Sequence, residues 1–303
     1  MDAIEVRGVT KTFGNVTAVD DLTLTVPQGS VYGFIGPNGS GKTTTMRMIV
    51  NIFFPDRGEI RVLGQDAGRR HSSQVGYLPE ERGLYRRMEV RSLLEFHGEL
   101  RGGRSVTAEV NGWLDRLELS HCAKRRVETL SKGMSQKVQF IAAVVPEPKL
   151  LILDEPFSGL DPVSAETMRT AILELRRRGA TVILSTHDMG VAESLCDYIL
   201  MIYRGRKVLD GTLESIQEQY GNDTIRVSAA GGESVLQNLP GVEKIRDLGQ
   251  VQELRMALGC DSQEVLRALV TRTRVTSFSV TKPSLHDIFI RIAGHEAAEA
   301  QNA

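Results

Sequence analysis

The chain has 303 residues, enough for one large domain and a smaller one. Its 37 basic and 38 acidic residues leave a net charge of −1, so no global field draws it to nucleic acid or an anionic membrane. The 3 cysteines, Cys122, Cys196 and Cys260, are odd in number and lack metal-like spacing, as expected of small buried side chains in a reducing compartment.

The first residues carry neither the basic start nor the apolar core of a signal peptide. No apolar run reaches the ~18 residues of a membrane span, so the chain is expected to be soluble by itself and to meet a membrane only through a partner.

Residues 4–9 (IEVRGV) and 22–26 (LTLTV) alternate apolar with polar and predict half-buried antiparallel strands. VYGFIG at 31–36 predicts a buried strand entering a turn. In TTTMRMIVNIFF, helical spacing links Met46, Ile49, Val50 and Phe53, with Pro55 as the expected stop. GEIRVLG reads as a further strand, and residues 84–145 read as mainly helical. KLLILDEP and ATVILSTH are short apolar runs ending in polar residues, like buried parallel strands whose carboxyl ends carry function. The helix PVSAETMRTAILELRRRG between them completes a βαβ unit.

After residue 221 the texture changes. TIRVSA, VEKIRDL, VQELRMAL and VTSFSV read as strands, ESVLQNL and DSQEVLRALVTR as helices between them, giving a β-α-β-β-α-β order. A last helix, SLHDIFIRIAG, follows Pro283. The expected division is a first domain over 1–220, with a helical subdomain over about 84–145, an α+β domain over 221–294 and a flexible tail over 295–303.

GPNGSGKT, Gly36 to Thr43, fits the phosphate-loop pattern G-x-x-x-x-G-K-[ST]. Phosphates need inward-pointing backbone N–H groups and close approach, hence glycine at 36, 39 and 41. The next helix offers its positive end. Lys42 supplies a point charge for the β/γ-phosphates, and the Thr43 hydroxyl is a hard ligand for Mg²⁺. LLILDEP ends in Asp154, expected to hold Mg²⁺, and Glu155, expected to orient or deprotonate an attacking water. That strand is expected beside the phosphate-loop strand. His187 ends the next strand, within reach of a γ-phosphate and the carboxylate.

Together these residues resemble the nucleotide-binding subunit of ABC transporters. GPNGSGKTT looks like its Walker A, LLILDEP its Walker B, SGLD (158–161) its D-loop, His187 its switch histidine and LSKGM its signature. The resemblance spans residues 4 to about 217. VGYLPEERGLY, LSKGMSQK and KPSLHDIFIRI look like ATPase subunits of bacterial ABC-2-type exporters, the sodium and drug efflux group. It implies an α/β P-loop NTPase (RecA-like) core with an antiparallel β-subdomain and a helical subdomain, followed by the small α+β domain.

It also implies ATP and Mg²⁺ as ligands. Phe13 would stack on adenine, while Gly36, Pro37, Asn38, Gly39, Ser40, Gly41, Lys42, Thr43 and Thr44 would hold the phosphates. Glu80 stands where the family has glutamine, as a donor to metal or water. Ser131, Gly133 and Asp161 would meet an ATP held by a second, identical or similar subunit. Lys132 and Met134 replace the usual glycine and glutamine; Lys132 either adds charge near ATP or points to solvent.

The implied function is an ATPase on the inner face of the cell membrane, powering an integral-membrane permease. Residues about 81–100, with Leu84, Tyr85 and Met88, are the expected permease contact, ordinary packing being the alternative. The rival is an ABC-type ATPase acting on nucleic acid or ribosomes, but no second cassette, coiled-coil insertion or basic segment accompanies it. A GTP switch would carry N-K-x-D, which is absent. The C-terminal domain would either bind a regulatory ligand or help dimerisation; its VTSFSV and ELRMAL strands carry no convergent polar cluster, which favours dimerisation.

Overall fold

The computed structural model describes residues 2–66, 74–81, 83–102, 105–220, 224–257 and 259–292. The expected tail, 295–303, lies outside them. The chain forms two compact units, Met1–Thr212 and Leu213–Ala303.

In the first unit, β1 (Asp2–Phe13) and β2 (Val16–Pro27) pair antiparallel, Ile4 opposite Val26 and Val6 opposite Leu24. The alternation buries Ile4, Val6, Leu22 and Leu24. β3 (Val31–Ile35) is buried throughout and leads through the phosphate loop to α1 (Lys42–Ile49). β4 (Arg57–Val62) and β5 (Gln65–Asp66) complete an antiparallel sheet of order β2-β1-β4-β5. Next come β6 (Val75–Leu78), α2 (Val90–Gly102), α3 (Thr107–Arg116) and α4 (Lys132–Val144). Then follow β7 (Leu150–Asp154), α5 (Pro162–Arg177), β8 (Thr181–Thr186), α6 (Met189–Leu195), β9 (Tyr198–Tyr203) and β10 (Arg206–Gly211).

The main sheet has the order β10-β9-β3-β8-β7-β6, parallel except for the β9–β10 pair. Contrary to the sequence expectation, the Asp154 strand therefore does not neighbour the phosphate-loop strand. The α5 crossover sets β8 beside β7, and β8 occupies the place next to β3. β8 puts the small Ser185 opposite both Asp154 and Phe34, so Asp154 still meets the phosphate loop across it.

Alternate side chains of β7 feed two cores. Leu150 and Ile152 join Phe34, Met46 and Ile183 under the antiparallel sheet. Leu151 and Leu153 join Leu94, Phe140 and Ile172 under the helices. Burial on both faces explains why the strand reads as a continuous apolar run.

α1 stops at Ile49, short of Phe53 and of Pro55. Asn51 takes a left-handed φ of 61°, which a short polar side chain tolerates, and Ile52 N–H donates to Arg47 O at 2.8 Å. Phe53 is thereby released from the helix and lies edge-on to Phe13.

The second unit opens with α7 (Leu213–Gln219), so its break precedes the expected one. β11 (Thr224–Ala229), β12 (Val242–Asp247), β13 (Gln252–Met256), α8 (Ser262–Arg272), β14 (Val275–Thr281) and a helix α9 (285–292) follow. The sheet is antiparallel, of order β12-β13-β11-β14. Its core joins Ile225, Val227 and Leu254 to Val265 and Leu269. The expected helix in ESVLQNL is only a 3₁₀ turn, Gly232–Leu236. Left-handed Gly231 and Asn238 close it off on either side, yet Leu236 and Leu239 still reach the core. Among the described residues, no helix is long and apolar enough to cross a membrane.

Candidate nucleotide site

The phosphate loop is shaped by two backbones that exclude side chains. Gly36 has a φ of 146°, and a Cβ there would fall 2.1 Å from Ile202 O; Gly41 has a φ of 109°, and its Cβ would fall 2.5 Å from Ala18 O. Gly41 caps α1 without a side chain, and no acidic residue stands in the first turn. The amides and positive end of α1 are thus left for an external anion.

Lys42 is buried, with Nζ donating to Gly36 O at 2.7 Å and Pro37 O at 3.1 Å. Burial pulls its ammonium below the ordinary lysine value, while Glu155, Asp154 and Glu80 act in the opposite direction. Gly205 N–H, from the β9–β10 turn, donates to Ser40 O at 2.9 Å and pins the loop from behind.

A cavity of about 290 Å³ opens on this loop. Asn38, Gly39 and Gly41 to Thr44 line it on one side; Glu80 and Glu155 also line it. Ala18, on β2, completes the rim and gives no sequence signal.

Asp154 is fully buried, and its Oδ1 accepts from Thr43 Oγ1 at 3.2 Å and from Ser185 Oγ at 2.5 Å. Its Oδ2 is buried without a hydrogen-bond partner among the described residues. A buried anionic oxygen left bare is costly, and a cation or its hydration water would satisfy it. The donor set at Asp154 and Thr43 is therefore of the hard-oxygen kind that suits Mg²⁺.

Glu155 has a left-handed φ of 50°, an arrangement that costs about 1–3 kcal/mol in a non-glycine residue and clusters at functional sites. Its N–H donates to Ser185 Oγ at 2.9 Å, and its Oε1 lies 3.0 Å from His187 Nδ1. His187 remains exposed. Asp188 N–H donates to Thr186 Oγ1, and the Asp188 carboxylate caps α6 through Gly190 and Val191 N–H, which fixes the chain on either side of His187. Ser185, unassigned by sequence reading, thus holds both acids of LLILDEP.

The other expected residues lie off this cavity. Phe13 is 44% exposed, with its ring 5.3 Å from that of Phe53. Ser131 Oγ caps α4 by accepting from Met134 N–H at 3.2 Å. Asp161 caps α5, accepting from Val163 and Ser164 N–H at 3.1 and 3.0 Å; hydrogen bonds from Ser164 hold its carboxyl below the usual range. The Lys132 stem crosses Gly159, where a Cβ would fall 2.6 Å from its Cε. Lys132 thus lies on the SGLD loop of its own chain.

Two α4 glutamines escaped sequence reading. Gln136 Nε2 donates to Pro156 O at 3.2 Å and Glu155 O at 3.4 Å. Gln139 Nε2 donates to Pro79 O at 3.0 Å and Glu81 O at 3.2 Å. On the helical subdomain, Leu84 and Met88 pack on the core, whereas Tyr85, Phe96 and Leu100 are 56%, 42% and 71% exposed. The outward apolar face is thus Tyr85, Phe96 and Leu100, in place of Leu84, Tyr85 and Met88.

Residues 19–158 match the family model "ABC transporter", and residues 211–293 match "ATP-binding protein DrrA1-3-like, C-terminal domain". The uncharacterized ABC transporter ATP-binding protein YhaQ of Bacillus subtilis is 39% identical over 94% of this chain and 97% of its own. The chain belongs to the ATP-binding proteins of ABC transporters. As such it binds ATP and is an ATPase powering transport. The Nod factor export ATP-binding protein I of Rhizobium sp. is 33% identical over 97% of this chain and 98% of its own. The daunorubicin/doxorubicin resistance ATP-binding protein DrrA of Streptomyces peucetius is 34% identical over 97% and 93%. A solved ATP-binding subunit of an ABC transporter superposes with a TM-score of 0.69 at 31% identity, covering 72% of this chain and 93% of that one. The P-loop NTPase fold expected from the sequence is borne out, and the nucleic-acid reading gains no support.

Proposed function

We propose that this ABC ATPase acts as a pair of chains, homodimeric or with a similar subunit, that encloses two ATP molecules and drives an ABC-2-type permease in the export direction. The observation that carries the catalytic part is the 3.0 Å contact between His187 and Glu155, with Glu155 facing Lys42 and Thr43 across one cavity. Glu155 accepts a proton from the attacking water, and His187 holds the carboxylate in place. Water adds to the γ-phosphorus as the bond to the β-γ bridging oxygen breaks, giving ADP and phosphate. Lys42 and the α1 amides neutralise charge on the phosphates.

Thr43 and Asp154, with Glu80, would hold Mg²⁺, which would supply positive charge to the phosphates. Ser131 and Gly133 of the second chain, at a helix N-terminus, add donors to the γ-phosphate. Asp161 reaches the same shared boundary, and Phe13 offers a face to adenine.

Export is supported by two relatives named for Nod factor export and for daunorubicin/doxorubicin resistance. The permease contact is Tyr85, Phe96 and Leu100, an exposed aromatic and aliphatic face. Docking there places the ATPase on the inner face of the cell membrane. The test is affinity capture from detergent-extracted membranes, with mass spectrometry of what co-purifies. An ABC-2-type permease that is retained by wild type and lost on Tyr85→Asp/Phe96→Asp supports the reading. Capture without any permease contradicts it.

A further inference from the structure

α4 begins with the Ser131 loop, yet two of its buried polar side chains, Gln136 and Gln139, point at the segments that carry Glu155 and Glu80. Gln136 and Gln139 are three residues apart and share a helix face. They are 3% and 5% exposed. Gln136 grips the carbonyls of Glu155 and Pro156. Gln139 grips the carbonyls of Pro79 and Glu81, which bracket Glu80. Lys132, one turn before Gln136, lays its stem on Gly159. One face of α4 therefore touches the two segments whose acids, Glu80 and Glu155, line the nucleotide cavity, and also the SGLD loop, which does not line it.

The amide orientation of Gln139 follows from chemistry. Carbonyl oxygens only accept, so the NH₂ must face Pro79 and Glu81. This leaves Gln139 Oε1 buried without a partner among the described residues. Burying a bare acceptor is unfavourable, and an apolar side chain would fill the space at lower cost. The donors are what the position uses.

We infer that Gln136 and Gln139 are positioning residues that tie Glu155 and Glu80 to the helix that Ser131 caps. A shift of α4, as its N-terminus meets an ATP held by the second chain, is then transmitted to the acids of its own site. The inference deepens the proposed function and rests on its assignment of Glu80 and Glu155.

Gln139→Met keeps size and removes both donors. The expected result is a roughly tenfold fall in kcat with KM for ATP unchanged, and faster amide exchange across 77–81, as two hydrogen bonds are lost. In a double-mutant cycle, Gln139→Met adds nothing to Glu80→Gln. Wild-type kcat and exchange in Gln139→Met, or costs that multiply with those of Glu80→Gln, would overturn the tie. A Glu80→Gln enzyme of wild-type activity instead refutes the role of Glu80, and the exchange measurement still decides the tie. Should Gln139→Met not fold, Gln139→Glu tests the same donors. Its ionised form repels the two carbonyls, whereas its protonated form restores one donor. The activity ratio to wild type must then rise as pH falls, and a flat ratio overturns the inference.

Discussion

The phosphate loop and the Ser131 loop both feed the N-terminus of a helix, but they end differently. α1 is capped by Gly41, with no side chain on its first-turn amides, and its lysine is folded back onto the loop. α4 is capped by Ser131, whose hydroxyl accepts from Met134 N–H. The first is an anion site already formed in one chain. The second has a cap of its own and adds only a hydroxyl and a few amides to whatever reaches it. On the proposed function the two helices divide the labour: α1 would supply affinity, and α4 would report that a second chain has arrived.

The largest effect separating the two belongs to Glu155. Glu155→Gln should lower kcat by about 10²–10⁴ while ATP binding persists, measured by steady-state hydrolysis and nucleotide titration. Near-normal turnover would remove Glu155 from its assigned role. Next, Lys42→Ala should weaken ATP binding to the single chain by about tenfold or more, since a charge-assisted contact to phosphate is lost. Unchanged affinity would mean that the α1 amides alone suffice.

Ser131→Ala should cost about 1 kcal/mol of stability, the usual value of an N-cap, without altering ATP affinity of the isolated chain. A melting scan alongside titration separates the two readouts; weakened ATP binding in the monomer would erase the contrast. Smallest, Lys132→Ala should leave that affinity untouched, because the stem lies on Gly159 and its residue does not line the cavity. A change would bring Lys132 back to the phosphates.

The contrast also marks what the sequence discloses. The phosphate loop and the LLILDEP acids are local, since each places its chemistry within a few residues. Strand order was not legible: Asp154 meets Thr43 across β8, which the run LLILDEP does not reveal. The early stop of α1 turns on the left-handed Asn51 and was hidden under a helical apolar spacing. Gln136 and Gln139 read as ordinary helix residues because their partners stand 20 and 60 positions away. Ser185 is equally silent, being a small polar residue that matters only once β7 and β8 are paired.

Whether the two loops face one another across a pair of chains is decided most directly by sedimentation velocity of Glu155→Gln with ATP and Mg²⁺. The account predicts a dimer that forms only with ATP and is abolished by adding Ser131→Arg, the monomer still binding nucleotide. A Glu155→Gln chain that stays monomeric in saturating ATP, or a dimer indifferent to Ser131→Arg, would contradict it.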